Sequence, residues 1–182
     1  MRLSLPTPDQ MTDAQRAIYD ESVASKRGSA PPPMMAWLAS PGMAEHATRL
    51  GAFLRYDTCL GAKLSELAIL VTGRHWSAQY EWYAHKKMAL QAGLDPAIID
   101  AINARRTPVF DDPKAEAVYN VAKSLHETRA IPQPLYERAN ALLGARGLVE
   151  VIGLCGYYTL VSMTLNAYEF PLPEGEVSDL LP

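Results

Sequence analysis

The stretch ELAILVTGRHWSAQYEWYAH, Glu66–His85, decides how the chain reads. Its first half is an apolar run opened by one carboxylate, Glu66, and closed by Arg74 and His75. The run lacks the strict alternation of a half-buried strand and is long enough for a helix. Ser65 reads as its N-cap, and Ser77 as the N-cap of a second helix reaching Leu90. That second helix gathers Tyr80, Glu81, Trp82, Tyr83 and His85 just after Trp76. Glu81 and His85 stand four apart and so share one helix face. A carboxylate beside an imidazole is a proton-transfer pair.

The same punctuation recurs on both sides of this stretch. Thr12 with Gln15 forms a capping box for a helix to about Lys26. RGSAPPP (27–33) then reads as an extended connector, and Met34, Met35, Trp37 and Leu38 as a short turn docked on the core. Ser40-Pro41 opens a helix to about Thr58, with Leu50, Phe53 and Leu54 expected on its buried side. Gly93 ends the Ser77 helix. Asp95-Pro96 and Asp112-Pro113 repeat the cap-plus-proline signal for two more helices. After IPQP (131–134) come LYERANALL, a GARG turn and a last helix, Leu148 to Tyr168, which PLPEG stops. The pattern predicts an all-α bundle: an N-terminal helix and proline-rich arm (1–39), a helical domain (40–172) and a C-terminal tail (173–182). The tail reads either as an arm against a neighbour or as a frayed end. The last helix is apolar nearly all round and must be buried on most faces. Either it is the central helix of a monomer, or it also serves an oligomer interface, which we expect.

Composition excludes several classes of function. A chain of 182 residues with 48% hydrophobic content can bury a core without metals or disulfides. A net charge of −3 gives no electrostatic footprint for nucleic acid. No apolar run approaches a membrane span of about 20 residues, and MRLSLPTPDQ lacks a signal-peptide core, so a cytoplasmic protein is expected, with no membrane partner. Cys59 and Cys155 have neither ligand nor redox spacing and are expected to be reduced and buried.

Each candidate site residue has a plain structural reading beside the functional one. Glu81 and His85 could be a solvated surface pair, but Trp76, Tyr80, Trp82 and Tyr83 cannot all face solvent, and some of them are expected to wall a cleft near the pair. Glu66 either needs a partner inside an apolar helix or is a favourable helix-start charge. Arg74 could hold a substrate carboxylate, with His75 beside it, or simply cap a helix C-terminus. His46 and His126 read as surface residues. Asn166, on the apolar last helix, is expected to be buried and bonded to a neighbouring helix or a ligand. Glu66, His75, Glu81 and His85 are ligand types, but a transition-metal site wants three or four converging ligands with outer support, so neither a metal nor another cofactor is expected.

The frame Glu66-x11-Ala78-x2-Glu81-x3-His85, with AGL (92–94) closing the helix, resembles the carboxymuconolactone decarboxylase family, which also contains the AhpD-like alkylhydroperoxidases. The peroxidase branch carries cysteines where this chain has Ala78 and Glu81. With both thiols absent, disulfide-based peroxide reduction has no nucleophile. The resemblance covers most of residues 40–172. It implies an all-α fold, a homotrimer or homohexamer, and a small-molecule site between helices. It points to a cofactor-independent lyase or isomerase acting on a small carboxylated lactone or cyclic acid. In that reading Glu81, His85 and Glu66 are catalytic, and Arg74, His75, Trp76, Tyr80 and Asn166 bind substrate. A non-catalytic binding or structural oligomer is the alternative.

Overall fold

Local chemistry sets most of the helix boundaries in the computed structural model, which describes residues 1–182. After a short 3-10 turn at Pro8–Gln10, helix α1 (Asp13–Ala24) opens with the expected capping box. The Thr12 hydroxyl accepts from Gln15 N, and the Gln15 side chain accepts from Thr12 N at 3.0 Å. The proline run is less extended than its composition suggests. Pro32 and Pro33 form the first turn of α2 (Pro32–Trp37), where a missing N–H costs nothing.

Helix α3 (Pro41–Tyr56) turns a different stripe inward from the one expected. Ala44, Ala47, Thr48, Gly51 and Leu54 are buried, while Leu50 and Phe53 are 49% and 40% exposed. Small residues along the inward stripe bring α3 close to its neighbours. At Gly51 an added Cβ would meet the Tyr157 hydroxyl at 2.1 Å.

Helix α4 (Gly61–His75) starts earlier than the Ser65 cap implied. Gly61 takes the left-handed conformation (φ 74°), so the helix begins there, and Ser65 lies inside it with its hydroxyl donating to Gly61 O. Ser77, also at positive φ (47°), and Ala78 separate α4 from α5 (Gln79–Gln91). Gly93, at φ 79°, reverses the chain after α5, and Leu94 N reaches back to Ala89 O. Helices α6 (Pro96–Asn103) and α7 (Pro113–Thr128) open as expected, with Asp95 and Asp112 accepting from Ala97 N and Lys114 N.

Helix α8 (Gln133–Ala167) is broken only at Gly144, whose non-helical backbone (φ 70°, ψ 168°) kinks it. It is long and apolar enough to cross a membrane by length and composition, contrary to the expectation that no run is. Most of its apolar stretch is instead packed inside this chain, against α7, α4, α3, α2 and α5. Val149, Ile152 and Met163 remain exposed on it.

The architecture is an all-α bundle with α4 at its centre, flanked by α5, α7 and α8. α2 and α3 lean on α8 from one side, and α1 rests on α3. The C-terminal tail docks on its own bundle rather than fraying. Asn103 donates to Asp179 O, Leu181 N donates to Asn103 Oδ1, Trp82 Nε1 donates to Asp179 Oδ1, and Leu180 is buried.

Candidate active site

Glu66 enters the site from the second turn of α4, Glu81 and His85 from α5, and all three are buried. The two helices pack along Gly73, where a Cβ would come within 3.6 Å of Glu81 Cγ. Across this contact His85 Nδ1 lies 2.6 Å from Glu66 Oε2. On its other side His85 Nε2 lies 2.9 Å from Glu81 Oε1, one helical turn away. That second approach is close but not aligned as a hydrogen bond, so Glu81 Oε1 has no properly directed protein donor. The pair is thus part of a buried row, carboxylate–imidazole–carboxylate, and not a solvated surface pair.

The electrostatics follow from this arrangement. Burial alone would push the His85 imidazole towards neutrality. The charges of Glu66 and Glu81, with their hydrogen bonding, outweigh it and raise the pKa to about 9. The balance favours the imidazolium at neutral pH, with Nδ1 bonded to Glu66 and Nε2 close to Glu81 without an aligned bond.

A cavity of about 270 Å³ adjoins the row, lined by Glu81 and His85 together with Tyr80, Arg55, Arg27, Thr48, Trp37, Tyr157 and Tyr158. Tyr158 meets the His85 ring edge-on at 5.0 Å, and Tyr157 meets Tyr158 the same way at 5.3 Å. Burial raises the Tyr157 pKa to about 12 against the pull of Arg27, and burial with the Glu81 charge raises that of Tyr158 well above its usual value. Both phenols stay protonated and can donate. Arg55 lies over the Tyr56 ring, and its Nη2 approaches Met88 Sδ at 2.9 Å.

The remaining candidates stand elsewhere. Arg74 is buried, but its guanidinium donates to Asn103 O at 2.7 Å and Pro182 O at 3.0 Å, tying the tail to α6. His75 is exposed and stacks on His126 at 4.7 Å beside a smaller cavity with Arg74, Arg105, Arg106 and Lys123. His126 is thus partly buried, with Nε2 2.9 Å from Thr72 Oγ1, rather than a surface residue. Trp76 Nε1 donates to Thr159 Oγ1, away from the His85 cavity. Asn166 is exposed, not buried, and its amide donates to Trp76 O. His75 is remote from the Glu66–His85–Glu81 row, so the four ligand-type residues do not converge.

Cys155 is buried, with its thiol pushed up to about 11 by burial, but Cys59 is exposed. Neither lines the His85 cavity. Sequence reasoning missed Arg27, Arg55 and Thr48. Arg27 sits in what reads as a connector, and only the docking of that connector brings it to the cavity.

Residues 41–124 match the model of the carboxymuconolactone decarboxylase family. No curated protein matches the chain. Among solved structures, an uncharacterized peroxidase-related protein from Ralstonia eutropha JMP134, described as an alkylhydroperoxidase AhpD core, superposes with a TM-score of 0.76 at 15% identity. The match covers 95% of this chain and 92% of that one. An uncharacterized peroxidase-related protein from Silicibacter sp. TM1040 gives a TM-score of 0.75 at 17% identity over the same shares. A protein of unknown function from Agrobacterium tumefaciens, ATU0492, suggested to be the antioxidant defence protein AhpD, gives 0.66 at 16%, covering 75% of this chain and 94% of that one. These likenesses establish the AhpD-like fold.

Proposed function

We propose that the chain, whose residues 41–124 match the model of the carboxymuconolactone decarboxylase family, is a cofactor-independent acid–base lyase acting on a small carboxylated lactone or related cyclic acid. One observation carries this reading: the buried Glu66–His85–Glu81 row borders a cavity of small-molecule size.

The chemistry follows from what such a substrate needs. In an unsaturated lactone whose carboxylate is vinylogous to the carbonyl, the C–CO2⁻ bond breaks and its electron pair flows through the double bond to the carbonyl oxygen. Carbon dioxide leaves, and a dienolate remains. The dienolate needs hydrogen-bond donors at oxygen and a proton at carbon. Tyr157 and Tyr158 are neutral O–H donors on the cavity wall. His85 holds the proton, and Glu81 Oε1, 2.9 Å from Nε2, is placed to relay it. Glu66 fixes the ring through Nδ1, the positioning role that a carboxylate plays behind a catalytic imidazole. Arg74, His75, Trp76 and Asn166 have no part in this mechanism.

The test is steady-state kinetics on 4-carboxymuconolactone, following carbon dioxide release. Glu81→Gln and His85→Ala should each lower kcat by about 10²-fold or more, the usual contribution of a positioned acid or base. Turnover unchanged in both would overturn the assignment.

The solved neighbours carry peroxidase-related names, so peroxide handling is the alternative reading. It lacks support from the thiols, since Cys59 and Cys155 are outside the cavity and the Cys155 thiolate is disfavoured. Peroxide consumption abolished by Cys59→Ser or Cys155→Ser would restore it.

A further inference from the structure

Five buried side-chain polar atoms find no hydrogen-bond partner in the protein: Arg27 Nε, Arg27 Nη2, Thr48 Oγ1, Glu81 Oε1 and Ser162 Oγ. All but the last belong to residues lining the one cavity beside His85. Buried polar atoms are nearly always satisfied, so this clustering marks a place where a ligand completes the bonding.

The two Arg27 atoms define that ligand. Nε and Nη2 lie on the same edge of the guanidinium, and their N–H bonds run parallel. That edge is matched by the two oxygens of one carboxylate. Arg27 forms no ion pair within the chain. A guanidinium with its edge buried and no counter-charge is costly to maintain without a function. Its backbone is held in place. Ser25 Oγ accepts from Arg27 N, the Ser22 hydroxyl donates to Ser29 O, and Gly28 at φ 68° makes the intervening turn.

We infer that Arg27 is the carboxylate receptor of this cavity, supplied by the N-terminal arm outside the family-matched stretch, for a small ring compound bearing a carboxylate that the reaction retains. This rests on the acid–base reading of the same cavity. The ligand's carboxylate sits on the Arg27 edge, its ring lies among Met34, Trp37 and Val161, and its reacting carbon faces Glu81. A cavity of about 270 Å³ suits a compound at the small end of ligand size. The arm thus sets specificity, while α4 and α5 supply the chemistry.

The test is binding to the full chain, followed by tryptophan fluorescence, since Trp37 lines the cavity. The probes are 2-furoate and its uncharged methyl ester. Wild type should bind the acid at least about tenfold tighter than the ester, and Arg27→Lys, which keeps the charge but loses the edge, should erase most of that difference. Equal binding of acid and ester by folded wild type, or unchanged discrimination in Arg27→Lys, overturns the inference. The wild-type comparison stands even where a variant folds poorly. Acid–ester discrimination without lactone turnover leaves the receptor standing and removes the lyase reading. Turnover with an unchanged KM in Arg27→Lys does the reverse.

Discussion

The Nδ1 atom of His85 lies 2.6 Å from Oε2 of Glu66, joining α5 to the centre of α4 inside the core. The contact fixes the ring's orientation and also stores a protonation preference. A pKa raised from 6.5 to about 9 corresponds to roughly 3 kcal/mol favouring the charged ring in the folded state. That contribution is fully present below pH 6.5, where the unfolded chain is also protonated, and is lost as pH rises through 9. Chemical denaturation of wild type and Glu66→Gln across pH 6–10 should show the wild-type advantage shrinking over this window. A pH-independent difference would count against it.

His126 acts in the opposite sense. Burial first, then the neighbouring His75, lowers its pKa to about 4. A histidine held neutral contributes stability above pH 6.5 that is lost as pH falls towards 4. His126→Gln should therefore flatten the acid side of the stability profile and leave the alkaline side unchanged. The midpoint of unfolding between pH 4 and 7 checks this.

At Gly51 helix α3 passes directly against Tyr157, which lines the cavity. A Cβ there would fall 2.1 Å from the Tyr157 hydroxyl and 2.5 Å from its ring. Gly51→Ala should cost about 1–3 kcal/mol through overpacking, despite alanine's better helix propensity. It should also impair ligand binding by displacing Tyr157. Recovery of stability in the Gly51→Ala, Tyr157→Leu double variant would tie the loss to this contact, and additive losses would not.

Glu150 holds the α3–α4 connection to α8. Its buried carboxylate accepts from Thr58 Oγ1 at 2.6 Å, Cys59 N at 2.7 Å and Arg146 Nε at 2.7 Å. Burial works against the charge, but these donors outweigh it and bring the pKa down to about 2. Glu150→Ala should cost about 1–2 kcal/mol, because part-buried donors lose a charged acceptor. A loss below about 0.5 kcal/mol in denaturant titrations, the scale of an ordinary surface substitution, would contradict this anchoring role.

The sequence was legible where the physics is local. Thr12, Asp95 and Asp112 cap helices through bonds to residues two or three places away, and Gly93 needs only its own backbone freedom. The Glu81–His85 spacing likewise survives folding, because both lie on one helix. Ser65 misled because Gly61, at positive φ, had already begun the helix. Leu50 and Phe53 misled because the neighbours of α3 accept its small-residue stripe instead. Arg74 and Arg27 show the limit most clearly. Arg74 has the pattern of a substrate clamp but binds the chain's own Asn103 O in α6 and Pro182 O in the tail. Arg27 has the pattern of a connector residue but faces the cavity. Both outcomes depend on where distant segments dock, and no local pattern carries that information.

A buried imidazolium, held between Glu66 and Glu81, is the proton source on which the proposed chemistry depends. Titration of the His85 ring by NMR tests it most directly. We expect an apparent pKa near 9 in wild type, shifting down in both Glu66→Gln and Glu81→Gln. A wild-type ring that loses its proton at or below 6.5 would mean that burial outweighs the two carboxylates, and His85 could not be the acid.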